Sequence, residues 1–397
     1  MYHPLGVLIL AAGVSLLSGL FLHAQGFILC GVLLAIISLG LSWPWLSLRG
    51  LQGSIRFDSS RVVEGESVTI HVTLRNRFPW PVLGIVLKGG LGVDSRQSLA
   101  AISAVPSRRT ALYQWPYTAA IRGIYPRGPV YSGTAFPFGF WECRRALRVD
   151  SSLIVWPRTF PVGPVPLGGG EQQVEGNVSR SKVGSSGDVL GVRPYRRGDS
   201  LRRIHWGQSA RHDRLIVCEL ESPSRPTIQL VLDVDERVHV GSGRDSSREW
   251  AIRIAASFAQ GWLKAGALVG LIWDGHDIPP ASGQAQKVRI LDSLASIPDG
   301  CQTPLASVLS CPRCQRFRDG LLVIITTDRL EGAHLCLTCE AEHYRWVVLS
   351  CQAFAPSEAM PSPTRGKLGV TPWLWLDSIE AIPVALRGGW REAQHGS

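Results

Sequence analysis

Two long apolar stretches without a charged residue stand near the start of this chain of 397 residues. The first covers residues 5–22 and the second residues 27–43, where Pro44 follows. Each lies near the lower end of the ~17–25 residues that a helix needs to cross a bilayer. Because only residues 23–26 separate them, we expect two transmembrane helices that form a hairpin within residues 1–46.

A cleaved signal peptide or a buried pair of soluble helices would share this hydropathy. A signal peptide begins with a basic region, whereas this chain begins with Met1, Tyr2, His3 and Pro4, and a second apolar stretch follows the first directly. Lysine and arginine are absent from the turn, and arginines follow the second stretch from Arg49 onward. The positive-inside rule then predicts a multi-pass protein of the cell membrane, in contact with the lipid bilayer, with a cytoplasmic soluble region.

Residues 53–160 carry the signals of an antiparallel β-sandwich. Hydrophobic residues alternate with a period of two over residues 68–74, and short apolar runs at 82–87 and 153–156 are bounded by proline. Glycine and proline punctuate the whole region at short spacing, as in sandwich domains. Residues 161–187 are rich in glycine and proline, which predicts an inter-domain linker.

Strand and helix patterns alternate in residues 226–385. The predicted strands are 228–234, 268–273, 321–326 and 346–350, and the predicted helices are 246–265, 285–297 and 333–343. Such alternation predicts a doubly wound α/β domain with a mostly parallel sheet covered on both faces. Residues 386–397 remain as a tail. The fold class is thus a multidomain α+β chain with a transmembrane hairpin, a β-sandwich and an α/β domain.

A block rich in arginine, residues 188–225, precedes the α/β domain. Aromatic residues and histidine are interleaved with the arginines, so the block is neither an ordinary core segment nor a flexible linker. Arginine pairs with carboxylates and stacks on aromatic rings, so the block could lock a domain junction internally or stay exposed to bind an acidic partner, phosphate or lipid headgroup. The candidate interaction or junction residues are Arg193, Tyr195, Arg197, Gly198, Asp199, Arg202, Arg203, His205, Trp206 and Arg211. We expect Asp199 and Trp206 to be the main internal partners of the arginines.

The block resembles the signature of the domain of unknown function 58 family. The resemblance rests on the run from Arg193 to Trp206, on Ser209-Ala210-Arg211 and on an earlier Pro137-Phe138-Gly139. It implies a membrane hairpin, a β-sandwich and a von Willebrand factor A-like α/β domain. The setting of family members is similar to that of proteins that work with MoxR-type AAA+ ATPases, which implies such an ATPase as a partner.

The same resemblance implies a metal site at the carboxyl edge of the α/β sheet. Carried over to this chain, its ligands are Asp233 and Asp235 in the first loop, Thr303 in the second and Asp328 in the third. Oxygen ligands suit magnesium. However, Asp235 and Arg237 stand where the pattern has serines, and a guanidinium repels a cation and can itself neutralise carboxylates. A degenerate magnesium-type site and an arginine–carboxylate cluster therefore both remain open.

Two CxxC pairs raise the alternative of zinc. Cys311 and Cys314 form the first pair, and Cys336 and Cys339 form the second. Four thiolates in two pairs can hold a structural zinc ion tetrahedrally. Buried or half-exposed thiols would give the same pattern, since a full strand is predicted between the pairs. The odd total of nine cysteines favours reduced thiols or metal ligands over a secreted disulfide framework.

Two function classes follow from these features. The first is a non-enzymatic membrane-anchored scaffold or adaptor that binds a protein partner through its von Willebrand factor A-like domain. The second is a membrane-bound hydrolase, because residues 198–201 spell the GDSL motif with Ser200 as nucleophile. The Asp-x-x-His that accompanies this motif in GDSL esterases is missing from the sequence, which favours the adaptor. Nucleic-acid binding is not expected, since the net charge of +10 is carried without a Lys/Arg run.

Overall fold

The computed structural model describes residues 4–91, 98–165, 182–196, 201, 204–222, 225–317, 320–329, 344–354 and 371–388. The chain divides into two compact units. Unit 1 comprises Met1–Arg158 with Leu291–Ile297, and unit 2 comprises Thr159–Ile290 with Pro298–Ser397. Each unit has its own sheets, so the two are described in turn.

Unit 1 begins with two apolar helices, α1 (Pro4–Phe21) and α2 (Gln25–Arg49). Helix α2 is long and apolar enough to cross a membrane, whereas α1 is a shorter apolar helix. The expected end of the second helix at residue 43 is wrong, because α2 continues through Pro44. The last turn is stabilised by Arg145, whose guanidinium donates to the carbonyls of Leu48 and Arg49 at 2.9 and 2.7 Å. A proline removes one backbone donor, but these contacts hold the helix beyond it.

The rest of unit 1 is built from strands. They are β1 (Leu51–Phe57), β2 (Arg61–Val63), β3 (Ser67–Asn76), β4 (Val82–Lys88), β5 (Ser98–Val105), β6 (Thr110–Thr118), β7 (Gly123–Tyr125), β8 (Tyr131–Thr134), β9 (Cys143–Ala146), β10 (Arg148–Val149) and β11 (Leu153–Trp156). They form two four-stranded sheets, ordered β10-β1-β3-β6 and β5-β4-β8-β9, and a three-stranded sheet ordered β2-β11-β7. Pairing is antiparallel except for β1 with β10 and β2 with β11.

Strand β3 shows how the sequence pattern produces this core. The predicted alternation over residues 68–74 is confirmed, since Ile70, Val72 and Leu74 are fully buried and the residues between them are half-buried. A strand turns successive side chains to opposite faces, so one face of β3 enters the core. Ile70 shares a single hydrophobic cluster with residues of the other four-stranded sheet, including Ile85 of β4.

Unit 2 contains eight strands and six helices among its described residues. The strands are β12 (Lys182–Pro194), β13 (Ile216–Ser222), β14 (Thr227–Leu232), β15 (Leu268–Trp273), β16 (His276–Ala281), β17 (Leu321–Thr327), β18 (Tyr344–Leu349) and β19 (Pro372–Leu376). The helices are α3 (Trp206–His212), α4 (Ser247–Lys264), α5 (Gln284–Ser296), α6 (Leu305–Leu309), α7 (Pro312–Arg316) and α8 (Ile382–Gly388), of which α5 extends into the segment grouped with unit 1.

Six of these strands form one sheet, ordered β16-β15-β14-β17-β18-β19. All neighbours in it are parallel except β15 and β16, which are antiparallel. The four predicted strands are confirmed as β14, β15, β17 and β18, but β16 and β19 were not expected. Strand β12 pairs with β13 and begins inside the predicted linker 161–187. The predicted helix 333–343 lies outside the described residues.

Helix α4 confirms the predicted helix 246–265 and covers the sheet with its apolar face. Ser246 is its N-cap, with the side-chain oxygen accepting from the N–H of Glu249 at 3.3 Å. Phe258 and Trp262 are fully buried, and their rings stack with centroids 4.5 Å apart. Burying two large aromatic side chains contributes strongly to the stability of this unit.

The alternation along β3 predicts a matched pair of substitutions in unit 1. Leu74→Ala removes a fully buried side chain and should lower the free energy of unfolding by about 2–5 kcal/mol. The adjacent Arg75→Ala removes an exposed side chain and should change it by less than about 0.5 kcal/mol. Urea unfolding of the purified protein, followed by tryptophan fluorescence, measures both. Equal losses in the two variants would contradict the burial pattern.

Candidate functional site

The candidate site lies where adjacent parallel strands of the six-stranded sheet end. Asp233 follows β14, Asp328 follows β17 and Ser350 follows β18. Since β14, β17 and β18 are neighbours and parallel, their carboxyl ends meet at one edge of the sheet. We call this the carboxyl edge.

Asp233 is almost completely buried at this edge. Its Oδ2 accepts from Thr326 Oγ1 at 2.7 Å, and its Oδ1 accepts from the N–H of Asp235 at 3.2 Å. Burial disfavours the charged form and raises the pKa of Asp233 to about 6, although the two hydrogen bonds act in the opposite direction. The carboxyl group therefore joins the ends of two strands, and its own first loop supplies the second donor.

Asp328 joins the next pair of strand ends in the same way. It is buried, its Oδ1 accepts from the N–H of Cys351 at 3.1 Å, and its Oδ2 accepts from Ser350 Oγ at 3.2 Å. Both oxygens are thus engaged by the segment that follows β18.

Arg237 neutralises the other carboxylate of the first loop. Its Nε and Nη2 donate to Asp235 Oδ1 and Oδ2 at 2.9 and 2.6 Å, and Nη2 also donates to the carbonyl of Gln302 at 2.9 Å. This two-bonded contact is the main cause that lowers the pKa of Asp235. Of the two readings of the carboxyl edge from the sequence, this geometry is that of the arginine–carboxylate cluster.

Thr303 contacts a residue that the sequence reasoning missed. Its hydroxyl donates to the carboxylate of Asp274, which directly follows β15. Asp274 is not among the ligands that the family resemblance supplied, but a carboxylate directly after a buried strand is a signal that could have found it.

His239 is a second residue that sequence reasoning missed. Its Nε2 lies 3.0 Å from the Asp233 carbonyl oxygen, and its Nδ1 lies 3.0 Å from Ser247 Oγ. A carbonyl can only accept, so Nε2 carries the proton, and Nδ1 accepts from the hydroxyl, which itself accepts from the N–H of Val240. Burial lowers the pKa of His239 to about 4, so the ring is neutral at physiological pH. No local sequence pattern signals this role.

The predicted magnesium-type ligands do not form a ligand set. Within the described residues, no three His, Cys, Asp or Glu side chains are grouped so as to hold a metal ion. The carboxylate oxygens of Asp233, Asp235 and Asp328 instead accept hydrogen bonds from groups within the protein. Magnesium is held by oxygen ligands, and these oxygens already accept hydrogen bonds from the protein.

Cys311 and Cys314 are in contact, whereas Cys336 and Cys339 lie outside the described residues. Cys311 Sγ accepts from the N–H of Cys314 at 3.4 Å. Cys311 is half-buried and Cys314 is buried. Burial raises the pKa of the Cys314 thiol, and a hydrogen bond with the Cys311 side chain adds to this effect.

A cleft of about 790 Å³ opens beside this pair in unit 2. Cys311 lines it together with the apolar side chains of Ile272, Val308 and Phe317. Arg313 and Asp277, which also line the cleft, form an ion pair. The cleft is large enough for a small-molecule ligand.

The arginine-rich block is described only in part. Arg193 lies in β12, Arg211 lies in α3, and His205 is the N-cap of α3, with Nδ1 accepting from the N–H of Gln208 at 3.2 Å. Tyr195 follows β12 and is half-buried. Outside the described residues lie Arg197, Gly198, Asp199, Ser200, Arg202 and Arg203, so the predicted GDSL nucleophile has no described geometry.

Trp206 corrects one expectation for this block. It was expected to be an internal partner of the arginines, but its side chain is 68% exposed. At the first position of α3 its ring points to solvent instead of covering a guanidinium in the interior.

The pH dependence of stability should reveal the two titratable groups of the carboxyl edge whose pKa values are shifted by burial, Asp233 and His239. In the folded chain Asp233 has a pKa of about 6, above its value in the unfolded chain, so the folded chain binds more protons at this residue between pH 4 and pH 6. The contribution of Asp233 to stability therefore falls as pH rises over this range. His239, with a pKa of about 4, stays neutral while the unfolded chain is protonated, so its contribution rises over the same range. The two slopes oppose each other.

Relative to wild type, the slope of stability against pH should therefore be more positive in Asp233→Asn and more negative in His239→Gln. Each change in slope approaches about 1.4 kcal/mol per pH unit. Urea unfolding midpoints of the three proteins between pH 4 and pH 6 provide the test. Changes of the same sign in both variants would contradict the assignment.

Comparison with known proteins agrees with the signature. The chain is a mixed α/β protein with an apolar helix near its N-terminus that is long enough to cross a membrane. Residues 191–371 match the family described as Protein of unknown function DUF58, which confirms the resemblance carried by the arginine-rich block. Over 245 residues the chain is 27% identical to "Uncharacterized protein YeaD" of Bacillus subtilis (strain 168), with 58% of this chain aligned. The chain spans 57% of the length of that relative.

Similarity to solved structures is slight. The CARDB domain of PF1109 from Pyrococcus furiosus is 9% identical and covers 27% of this chain and 94% of its own, with a TM-score of 0.20. Spo0M, the sporulation control protein of Bacillus subtilis, is 10% identical and covers 26% of this chain and 50% of its own, with a TM-score of 0.17. At such scores neither likeness carries an argument about fold or function.

Proposed function

We propose that this chain is a non-enzymatic, membrane-anchored adaptor that binds a protein partner through the carboxyl edge of its six-stranded sheet. The observation that carries the proposal is the strand order. The chain passes from β14 to β15 on one side and from β17 to β18 on the other, so the order changes direction between β14 and β17. In open parallel sheets, binding crevices form outside the carboxyl ends of the strands at such a switch point.

The hydrogen bonds of Asp233, Asp235 and Asp328 support a binding surface more than a catalytic one. Their carboxylates are held by donors from neighbouring loops and strands, which makes the edge rigid and pre-organised. A rigid surface loses little conformational entropy when a partner binds. A general acid or base would need a carboxylate that can reach a substrate.

We also propose a domain type for each of the two units. We infer a von Willebrand factor A-like domain for the six-stranded sheet with its helices, supported by the strand order and by the carboxylates that follow β14 and β17. We infer a β-sandwich for unit 1, supported by one hydrophobic cluster that includes Ile70 of β3 and Ile85 of β4. The resemblance to the family then implies a MoxR-type AAA+ ATPase as the partner.

Two membrane crossings and a cytoplasmic soluble region complete the proposal. Both α1 and α2 expose large apolar side chains along their length, such as Leu10, Leu20, Ile28 and Leu34. Exposed apolar surface of this extent calls for a nonaqueous environment. Arg49 at the end of α2 agrees with a cytoplasmic location for the residues that follow.

A topology assay tests the membrane part. Green fluorescent protein fused to the C-terminus of the full chain should fluoresce in the membrane fraction, because the fusion point is expected in the cytoplasm. Alkaline phosphatase at the same point should be inactive, because that enzyme needs the oxidising side of the membrane to form its disulfides. An active phosphatase with a dark fluorescent protein would reverse the orientation, and recovery of the fusion in the soluble fraction would contradict anchoring.

A charge reversal at the carboxyl edge tests the partner. Glu236 is exposed in the loop between Asp235 and Arg237, so Glu236→Lys changes the edge without removing a buried contact. If a MoxR-type ATPase from the same organism binds there, this variant should recover about fivefold less of it in co-purification with the full chain.

Lys264→Glu is the matched control, because Lys264 is exposed at the last residue of α4, at the opposite end of that helix from the carboxyl edge. It should recover as much ATPase as wild type. Equal recovery by all three proteins would exclude the carboxyl edge as the binding surface, and no recovery by any of them would exclude this ATPase.

A further inference from the structure

The structure assigns a second kind of chemistry to unit 2: we propose that Cys311 and Cys314 form a redox-active dithiol that exchanges with small disulfides entering the adjacent cleft. This goes beyond the adaptor function and does not depend on it. The proposal rests on three features of the described residues, which are the contact between the two cysteines, their unequal exposure and the cleft that reaches only one of them.

The backbone brings the two cysteines together. Cys311 has extended φ and ψ angles of −63° and 147°, Pro312 starts the helical turn, and Cys314 lies within that turn. The N–H of Cys314 donates to Cys311 Sγ at 3.4 Å, which holds this sulfur over the turn that carries the second cysteine. A disulfide between the two needs only side-chain rotation, because their backbones are already joined by one turn.

The two thiols differ in exposure, which gives them different roles in the exchange. Cys311 is half-buried and lines the cleft, so a disulfide in solution can reach it. Cys314 is 1% exposed, so a disulfide in solution does not reach it first. An accessible thiol that attacks and a buried neighbour that resolves are the two parts that disulfide exchange requires.

The cleft suits a small disulfide. Ile272, Val308 and Phe317 provide apolar walls, and the ion pair of Arg313 with Asp277 provides charged groups near the sulfur. Its volume of about 790 Å³ is in the range of ligand-sized pockets. We therefore take a low-molecular-weight disulfide, such as glutathione disulfide, as the substrate class.

The exchange balances in two steps. Cys311, as the thiolate, attacks one sulfur of the substrate, the substrate S–S bond breaks, and one half leaves as a thiolate while the other stays bound to Cys311. Cys314 then loses its proton to solvent and attacks Cys311 Sγ, which releases the second half as a thiolate. The two protein thiols are oxidised to one disulfide, and the substrate disulfide is reduced to two thiols.

The test uses the full chain, reduced in detergent micelles, freed of reductant and incubated with glutathione disulfide. Free thiols are then blocked and the digest is analysed by mass spectrometry. Trypsin cleaves after Arg313, so a Cys311–Cys314 disulfide joins two peptides that separate on reduction. Wild type should yield this linked pair and release two equivalents of glutathione.

The two single variants should behave differently. Cys314→Ser should accumulate a glutathione adduct on Cys311, because the resolving thiol is missing. Cys311→Ser should lower the reaction of Cys314 by about tenfold or more, because the remaining thiol is buried. Ala versions of both variants should repeat these results, and circular dichroism should show all of them folded.

Cys143→Ser and Cys218→Ser are the controls, since each removes a half-buried cysteine outside the cleft. Both should react like wild type. Three outcomes would overturn the proposal: adducts on Cys143 or Cys218 that form as fast as on Cys311, a disulfide from Cys311 to any cysteine other than Cys314, or protection of both thiols until a zinc chelator is added. The last outcome would favour the zinc reading.

Discussion

Burial of the Asp233 carboxyl group at the end of β14 is the constraint on which the carboxyl edge depends. Removing a carboxylate from water is expensive unless hydrogen bonds compensate for it. Here the compensation comes from Thr326 in the neighbouring strand and from the backbone of Asp235 in the loop that follows. The same group therefore fixes the spacing of two central strands and the path of the first loop.

The other polar contacts of the edge extend this arrangement. Once the loop is fixed, Asp235 meets Arg237, whose guanidinium reaches the carbonyl of Gln302 in the next loop. Asp328 accepts a hydrogen bond from Ser350 and so fixes the end of β18 in the same way. Carboxylates that are satisfied in this way give the edge a defined shape and charge distribution, which is what recognition of another protein needs.

The sequence predicted those features that depend on local periodicity. Strand β3 and helix α4 follow from alternation with periods of two and 3.6, whereas the carboxylates of the edge were implied by the resemblance to the family. Features that depend on distant partners were missed. Helix α2 continues past Pro44 to Arg49, and Arg145, far along the chain, donates to the carbonyls of its last two residues. The position of His239 likewise depends on contacts with Asp233 and Ser247 that no local pattern encodes.

Strand β16, which the periodicity did not reveal, has a consequence for how these molecules behave when crowded. It is an edge strand that contains Pro279 and Pro280, and proline cannot donate a backbone hydrogen bond. Gln286 also occupies the carbonyl of Pro279 at 2.9 Å and that of Val269 at 2.8 Å. An edge strand with two residues that lack a donor and with an occupied acceptor is a poor template for strand addition, so this side of the sheet resists intermolecular β-pairing and aggregation.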